Sequence, residues 1–335
     1  MKLSVQLVTW NGSKYVPFLF DSLRKQTFTD WKLTILDNHS TDGMVMAMNK
    51  ELADFPVPYE LIENKENNGF AGGHNQLFKK GEGEYVLLLN QDTTFADDCF
   101  ERLVTFLDTH ETVAVASPRL MKWDFEKNRK MEHIDSLGLK VFRNRRVIEQ
   151  RTGDLWVGTS QEYLSVFGVS GAFPVFRRSA LLDVSFSDGT FFDELHHTYK
   201  EDVDLAYRLQ SRGYPAAVVL NAVAYHNRSA AGPKELHDDA ALEIKQTQPA
   251  WIKYYSYKNH LLTLYKNEYW QNVLLDLPWI VWYEGKKFVY FLLFDRDVLK
   301  GLGEIWKMRK VLRKKKIEMK KKRNVDWKVL RVWWT

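Results

Sequence analysis

One cysteine, Cys99, stands in 335 residues. No intrachain disulfide can form, a cysteine-based zinc site is excluded, and a reducing compartment is the fitting one. No run of roughly 18 apolar residues escapes charge, so no membrane-spanning helix is expected. The nearest stretch, 273–294, is interrupted by Pro278 and by Glu284-Gly285-Lys286-Lys287. It reads either as a segment lying in a membrane interface or as a packed helix pair. The opening "MKLSVQLVTWNG" is too polar and too short for a signal peptide, which makes a cytoplasmic protein the expectation. Internal repeats and the G-x-G-x-x-G of dinucleotide sites are also missing.

What is present is an ordinary globular balance, 45% hydrophobic and 27% charged, in a chain long enough for a sizeable core. The net charge of +5 is uneven: residues 307–323 hold eleven Lys/Arg and one Glu, leaving the remainder near −5. Three readings of that run stay open: a solvated helix, a contact with anionic lipid beside Trp306, Trp327, Trp333 and Trp334, or nucleic-acid binding. The last lacks any base-reading motif.

Along residues 1–118 short apolar runs alternate with helical periodicity. "LSVQLVTW", "WKLTILDN", "PYELIENK", "EYVLLLNQD" and "VAVASPRL" read as strands, separated by helices over 13–26, 41–55, 71–81 and 97–110, the second capped by Thr41 or Asp42. This rhythm predicts a mostly parallel sheet flanked by helices. Residues 119–165 read as an insertion or antiparallel excursion. Alternation resumes to about 234, and 235–335 reads as a helical, aromatic and basic C-terminal region.

Strand after strand ends on polar residues: Thr9-Trp10-Asn11, Asp37-Asn38, Asn68-Gly69 and Asn90-Gln91-Asp92. Each alone is a turn, but strands of a parallel sheet present their carboxyl ends on one edge, where ligands bind. The Gly-rich "NNGFAGGHNQ" permits close backbone approach to a phosphate or sugar, or merely starts a helix. In "YKEDVDLAYRLQSRGY", helical spacing puts Asp202 on the face of Leu205, Ala206 and Leu209, a costly place for a carboxylate without a partner or a task. Glu201 suits the helix dipole better. His226, in "VAYHNRS", ends another strand, and imidazole with the Asp92 carboxylate is a reasonable pair for a divalent metal.

The ordered set "VTWN", "LDNHSTDG", "NNGFAGGHNQ", "LLLNQD", "GAFPVFRRS", "KEDVDLAYRLQSRGY" and "AYHNRS" resembles the family 2 glycosyltransferases, most of all the bacterial rhamnosyltransferase-like branch that builds surface polysaccharides. The resemblance covers roughly residues 1–230. It implies a GT-A fold, a Rossmann-like α/β architecture spanning 1–234, with a nucleotide-sugar half at about 1–118 and an acceptor half at about 166–234. It also implies a nucleotide-sugar donor carrying dTDP or UDP, a divalent cation (Mn²⁺ or Mg²⁺), a saccharide or lipid-linked acceptor, and inversion at the anomeric carbon. By matching motifs, Asp92 and His226 would hold the metal, with Asn90 where the first acid of an Asp-x-Asp motif often stands. Asn90 and Gln91 would lie against the donor. Asp37 would read the nucleobase, Thr9 and Asn11 would line the nucleotide pocket, and Asn68 and Gly69 would sit near the nucleotide. Asp202 would be the catalytic base, with Glu201 and Asp204 on the acceptor side. Two rivals stay open: a nucleotide-binding oxidoreductase, against which the missing G-x-G-x-x-G speaks, and a non-catalytic sugar-binding or membrane-scaffold protein on the same fold.

Overall fold

The computed structural model describes residues 1–228 and 248–335. The expected boundary between 234 and 235 lies outside the described residues. Strands β1 (Leu3–Thr9), β2 (Trp31–Asp37), β3 (Tyr59–Glu63) and β4 (Tyr85–Asn90) alternate with helices α1 (Val16–Arg24), α2 (Met44–Leu52) and α3 (Gly69–Lys80). Pairings β1–β2, β2–β3 and β1–β4 are parallel. Their register sets Thr9 opposite Asp37, Asp37 opposite Glu63 and Val8 opposite Asn90. The carboxyl ends of these strands are therefore level on one edge, as the alternating apolar runs require.

Beyond β4 come β5 (Thr93–Phe95), α4 (Cys99–Thr109), β6 (Val115–Asp124), β7 (Arg129–Ser136), β8 (Leu139–Val141), β9 (Val147–Glu149), β10 (Tyr163–Val166) and β11 (Val175–Arg177). They are followed by α5 (Arg178–Val184), α6 (Glu201–Arg212) and β12 (Ala216–His226). The sheet runs β10-β12-β6-β11-β4-β1-β2-β3. β12 is parallel to β6, while β11 enters antiparallel between β4 and β6. The stretch 119–165 contributes the antiparallel partner β7 and the small β8–β9 hairpin. Apolar residues of both sheet faces form the core, with Phe95, Phe100 and Phe173 in mutual ring contact at 5.1–6.2 Å. Burying each such ring stabilises the fold by about 1.5–3 kcal/mol.

Helix α2 starts one residue later than the sequence suggests. Gly43, at φ +83°, occupies the cap position, because only there does the chain need the left-handed turn that glycine tolerates. Asp42 still accepts a hydrogen bond from the Met44 amide, at 3.2 Å.

The C-terminal region is helical: α7 (Ala250–Asn267), α8 (Trp270–Leu275), α9 (Leu277–Phe294), α10 (Lys300–Lys322) and α11 (Trp327–Arg331). Helix α7 packs along α10 and against α6. The basic run is not uniformly solvated. Lys315 reaches Asp193 at 2.9 Å, Lys322 donates to the Asp183 and Ser185 carbonyls, and Arg323 donates to those of Asn267 and Glu268. Lys315 and Lys322 pin α10 to the sheet-bearing part and Arg323 ties its end to that of α7, whereas Lys307, Arg309, Lys310 and Lys314 face outward.

Candidate active site

At the sheet edge, Thr9 donates to an Asp37 oxygen at 3.0 Å, and Ser40 donates to the same carboxylate through its amide at 2.8 Å and its hydroxyl at 2.5 Å. Asp37 is 2% exposed. Its carboxylate is thus turned inward to shape the turn after β2. Thr9 and Ser40 engage both of its oxygens in the absence of any nucleotide. Asn11 holds the same turn from the other side, its amide oxygen accepting from the Thr41 N–H at 2.8 Å. Asn38 donates to the Gly69 carbonyl at 2.9 Å, tying β2 to the start of α3. Gly69 has φ +73°, and a Cβ there would fall 2.5 Å from His197. Asn68, just before it, is exposed.

Gln91 is engaged within the protein as well. Its amide pairs with both the N–H and the carbonyl of Trp10, at 2.9 and 3.0 Å, so it links the exits of β1 and β4. Asn90 is half-buried at the end of β4.

Asp92 and His226 do meet. The antiparallel pairing of β5 with β12 sets His226 opposite Thr93, which brings His226 Nε2 within 3.3 Å of an Asp92 oxygen. The other ring nitrogen, Nδ1, lies 3.0 Å from Asp135, a buried carboxylate in β7 that also accepts from Arg228. Arg228 reaches onward to Glu149 at 3.1 Å. Burial opposes charge on His226, but the Asp92 and Asp135 carboxylates outweigh it and push the imidazole up to about 10. Burial likewise works against the Asp135 anion, and Arg228 with His226 overcomes it, leaving that carboxyl at about 2. The ring is therefore protonated on both nitrogens, Nδ1–H facing Asp135 and Nε2–H facing Asp92, and a cation at Nε2 would take the place of that second proton while Asp135 holds the ring. This is the orientation that a carboxylate behind a histidine gives a metal ligand. Among the described residues no cluster of three or more His, Cys, Asp or Glu is arranged to hold a metal. Asp92 and His226 would offer a divalent cation one carboxylate and one imidazole donor.

At the start of α6 the three acids separate sharply. Asp204 is 0% exposed and bound to Lys266 at 2.8 Å, Arg208 at 3.1 Å and Asn267 at 2.7 Å. The carboxylate belongs to a sealed ionic cluster, where it can act on the acceptor side only through its neighbours. Glu201 is buried with one oxygen unbonded, and burial followed by the adjacent Asp202 charge pushes its carboxyl up to about 8. Asp202 is half-buried and accepts from the amides of Val203 at 2.7 Å and Gly171 at 3.2 Å. Burial, then Glu149, raises its carboxyl. The face argument from helical spacing did not discriminate among these residues, because α7 and α10 cover the far side of α6 and bury nearly the whole helix.

Asp202 and Glu201 line a cavity of about 790 Å³ together with Glu149, Lys200, Arg228 and Tyr283 of α9. Arg228, two residues beyond His226, bonds to Asp135 behind His226 and to Glu149 in the cavity wall, so the Asp92–His226 pair and the Asp202 cavity are neighbours. Asp135, Glu149 and Arg228 were missed by sequence reasoning. No local spacing marks them, and only the β7 pairing and the β8–β9 hairpin carry the first two to β12.

The model of "Glycosyl transferase family 2" matches residues 4–184, more than half of the chain. The chain belongs to glycosyl transferase family 2. Among curated relatives, the poly(ribitol-phosphate) beta-N-acetylglucosaminyltransferase TarS of Staphylococcus aureus is 30% identical over 115 residues, 33% of this chain and only 20% of that protein. The O-antigen chain rhamnosyltransferase RfbN of Salmonella typhimurium is 23% identical over 236 residues, 68% of this chain and 67% of that one. Among solved structures, the mannosyltransferase PcManGT of Pyrobaculum calidifontis, in complex with GDP-Man and Mn²⁺, aligns with a TM-score of 0.52 at 18% identity over 79% of this chain and 63% of that one. This glycosyltransferase-family chain has the GT-A fold, with a helical C-terminal region added.

Proposed function

We propose that this family 2 member is an inverting glycosyltransferase. It would move a sugar from a nucleotide-sugar donor to a saccharide or lipid-linked acceptor in bacterial surface polysaccharide synthesis. The O-antigen chain rhamnosyltransferase and the poly(ribitol-phosphate) beta-N-acetylglucosaminyltransferase among the relatives support that setting, and dTDP-rhamnose is the donor to test first, with UDP-sugars next. The observation that carries the reading is the adjacency of the Asp92–His226 pair to a cavity walled by Asp202.

In this reading Asp202 takes the proton of an acceptor hydroxyl as its oxygen attacks the anomeric carbon. The bond from that carbon to the diphosphate oxygen breaks on the opposite face, and the electron pair leaves with the nucleoside diphosphate. A raised carboxyl suits a base working near neutral pH. Asp92 and His226 hold a divalent cation, which when bound supplies positive charge opposite the departing diphosphate. Asp135 fixes the ring of His226. Thr9, Asn11 and Asp37 build the turn that bounds the nucleotide pocket, and Asn68, Gly69 and Asn90 border the donor.

The deciding experiment is a thermal-shift panel of nucleotide-sugars with Mn²⁺ or Mg²⁺, followed by an assay for nucleoside diphosphate release with acceptor. A donor that binds the folded state raises Tm by mass action. Stabilisation by NAD alone would favour the oxidoreductase. Donor binding without release under any acceptor would favour a non-catalytic binder.

A further inference from the structure

Helices α8 and α9 expose what globular proteins normally bury. Trp270 is 67% exposed, Trp282 70% and Phe294 73%, and Leu274, Trp279 and Leu293 lie open with them. A contiguous apolar face of this kind marks an interaction surface. The opposite side of α9 is fastened to α7: Glu284 meets His260 at 2.8 Å, Lys287 lies over the Tyr257 ring at 4.9 Å, and the Phe291 ring lies 5.0 Å from Tyr257. The exposed face is therefore held outward by a polar anchor. No described helix is long and apolar enough to cross a membrane, so α9 can lie on a bilayer but not through it.

We propose that the outer face of α8 and α9 docks at the headgroup–acyl boundary of an anionic bilayer and so presents the Asp202 cavity to a lipid-linked acceptor. The second half of that statement rests on the glycosyltransferase reading; the first does not. Three features select a lipid surface over a second copy of the chain. Residues 286–323 carry fifteen Lys/Arg against four Asp/Glu, a charge that repels its own copy and is complementary to anionic headgroups. The indole N–H groups of Trp270, Trp282 and Trp306 have no hydrogen-bond partner among the described residues, and an indole at the interface keeps its ring in apolar surroundings and its N–H wet. Finally, α9 is itself a wall of the cavity that Asp202 lines, through Tyr283. An acceptor with its lipid in the bilayer would meet the base without leaving the surface.

This moves the membrane contact from the basic run alone to the apolar helices before it. The cations add attraction rather than supply the anchor, and several of them already bind the sheet-bearing part or the end of α7.

The test is flotation of the full chain with vesicles of phosphatidylcholine alone and of phosphatidylcholine with equal phosphatidylglycerol, at low and high salt. The parent is expected to bind the anionic vesicles and to retain part of that binding at high salt. The variant Trp282→Ser/Leu293→Ser/Phe294→Ser, with unchanged Tm, is expected to bind at least about tenfold more weakly. The variant Lys307→Ser/Arg309→Ser/Lys310→Ser is expected to lose mainly the salt-sensitive part. Binding by the apolar variant equal to the parent overturns the proposal. So does a concentration-dependent dimer in sedimentation velocity that the apolar variant abolishes while neither form floats with vesicles. Nucleotide-sugar binding, measured separately by thermal shift, reports on the catalytic reading: its failure with intact flotation removes the acceptor clause and leaves the docking surface standing.

Discussion

Helices α7 and α9 are both 18 residues long, and they are inside out relative to each other. Helix α7 buries Lys258, Asn259, His260, Thr263, Lys266 and Asn267, whereas α9 exposes Trp279, Val281, Trp282, Leu293 and Phe294. The polar residues of α7 are tolerated because the rest of the chain completes them. The Asn259 amide reaches the carbonyls of His196, Thr198 and Tyr199 at 2.7–2.8 Å, and Lys266 is enclosed by Asp193 and Asp204. The apolar residues of α9 find no such completion within the described protein. Position in the fold thus follows from whether partners exist, more than from polarity. The same distinction separates the acids of α6, where Asp204 is fully partnered and Asp202 looks into a cavity.

The largest effect should come from breaking that second contrast. Asp202→Asn keeps the shape and is expected to lower turnover by about 10²–10⁴-fold with unfolding free energy near the parent's. Asp204→Asn should instead remove about 3–5 kcal/mol of stability, because Lys266 and Arg208 would be left buried and underpaired. Steady-state rates with urea unfolding distinguish the two, and the reverse pattern would mean that the base has been misassigned.

A smaller loss should follow Asp135→Asn. Removing the carboxylate behind His226 is expected to weaken divalent-metal affinity about 10–100-fold. Titration of Mn²⁺ in the presence of nucleoside diphosphate reads this directly, and an unaltered affinity would place the metal elsewhere.

Glu201 gives the pH test. Its carboxyl rises from the ordinary range to about 8 when folded. The stability tied to its neutral form is therefore fully present below the unfolded pKa and lost as pH rises through about 8. Glu201→Gln should flatten the decline in unfolding free energy over that window, and parallel curves for variant and parent would contradict it.

The smallest effect is expected on α9. Trp282→Ser and Leu293→Ser should each change stability by no more than about 0.5 kcal/mol, the range for exposed positions. A loss of several kcal/mol would show that this face is covered within the protein itself.

How legible the site was varies residue by residue. Asp92 and His226 stood out as polar ends of apolar strands, and β5 pairing with β12 brings them together. Asp37 and Gln91 looked the same in sequence, yet both bond to neighbouring turns, because a strand-end carboxylate or amide can serve the loop as readily as a ligand. Asp135 and Glu149 had no legible signal, since the irregular stretch that carries them has no period to place its side chains.

The sequence by itself determined the parallel strand–helix alternation, the polar edge at the strands' carboxyl ends and the absence of a spanning helix. These depend on local period and on runs of residue type, which any short window contains. Only the tertiary structure decided which acid of the Glu201–Asp204 stretch is sealed and which is open. It alone decided which cations of 307–323 are structural, and that α9 turns its apolar face outward. The first two outcomes depend on partners more than fifty residues away and the third on the anchoring of α9 to α7, and charge or apolar surface is stable only where a partner, or another phase, completes it.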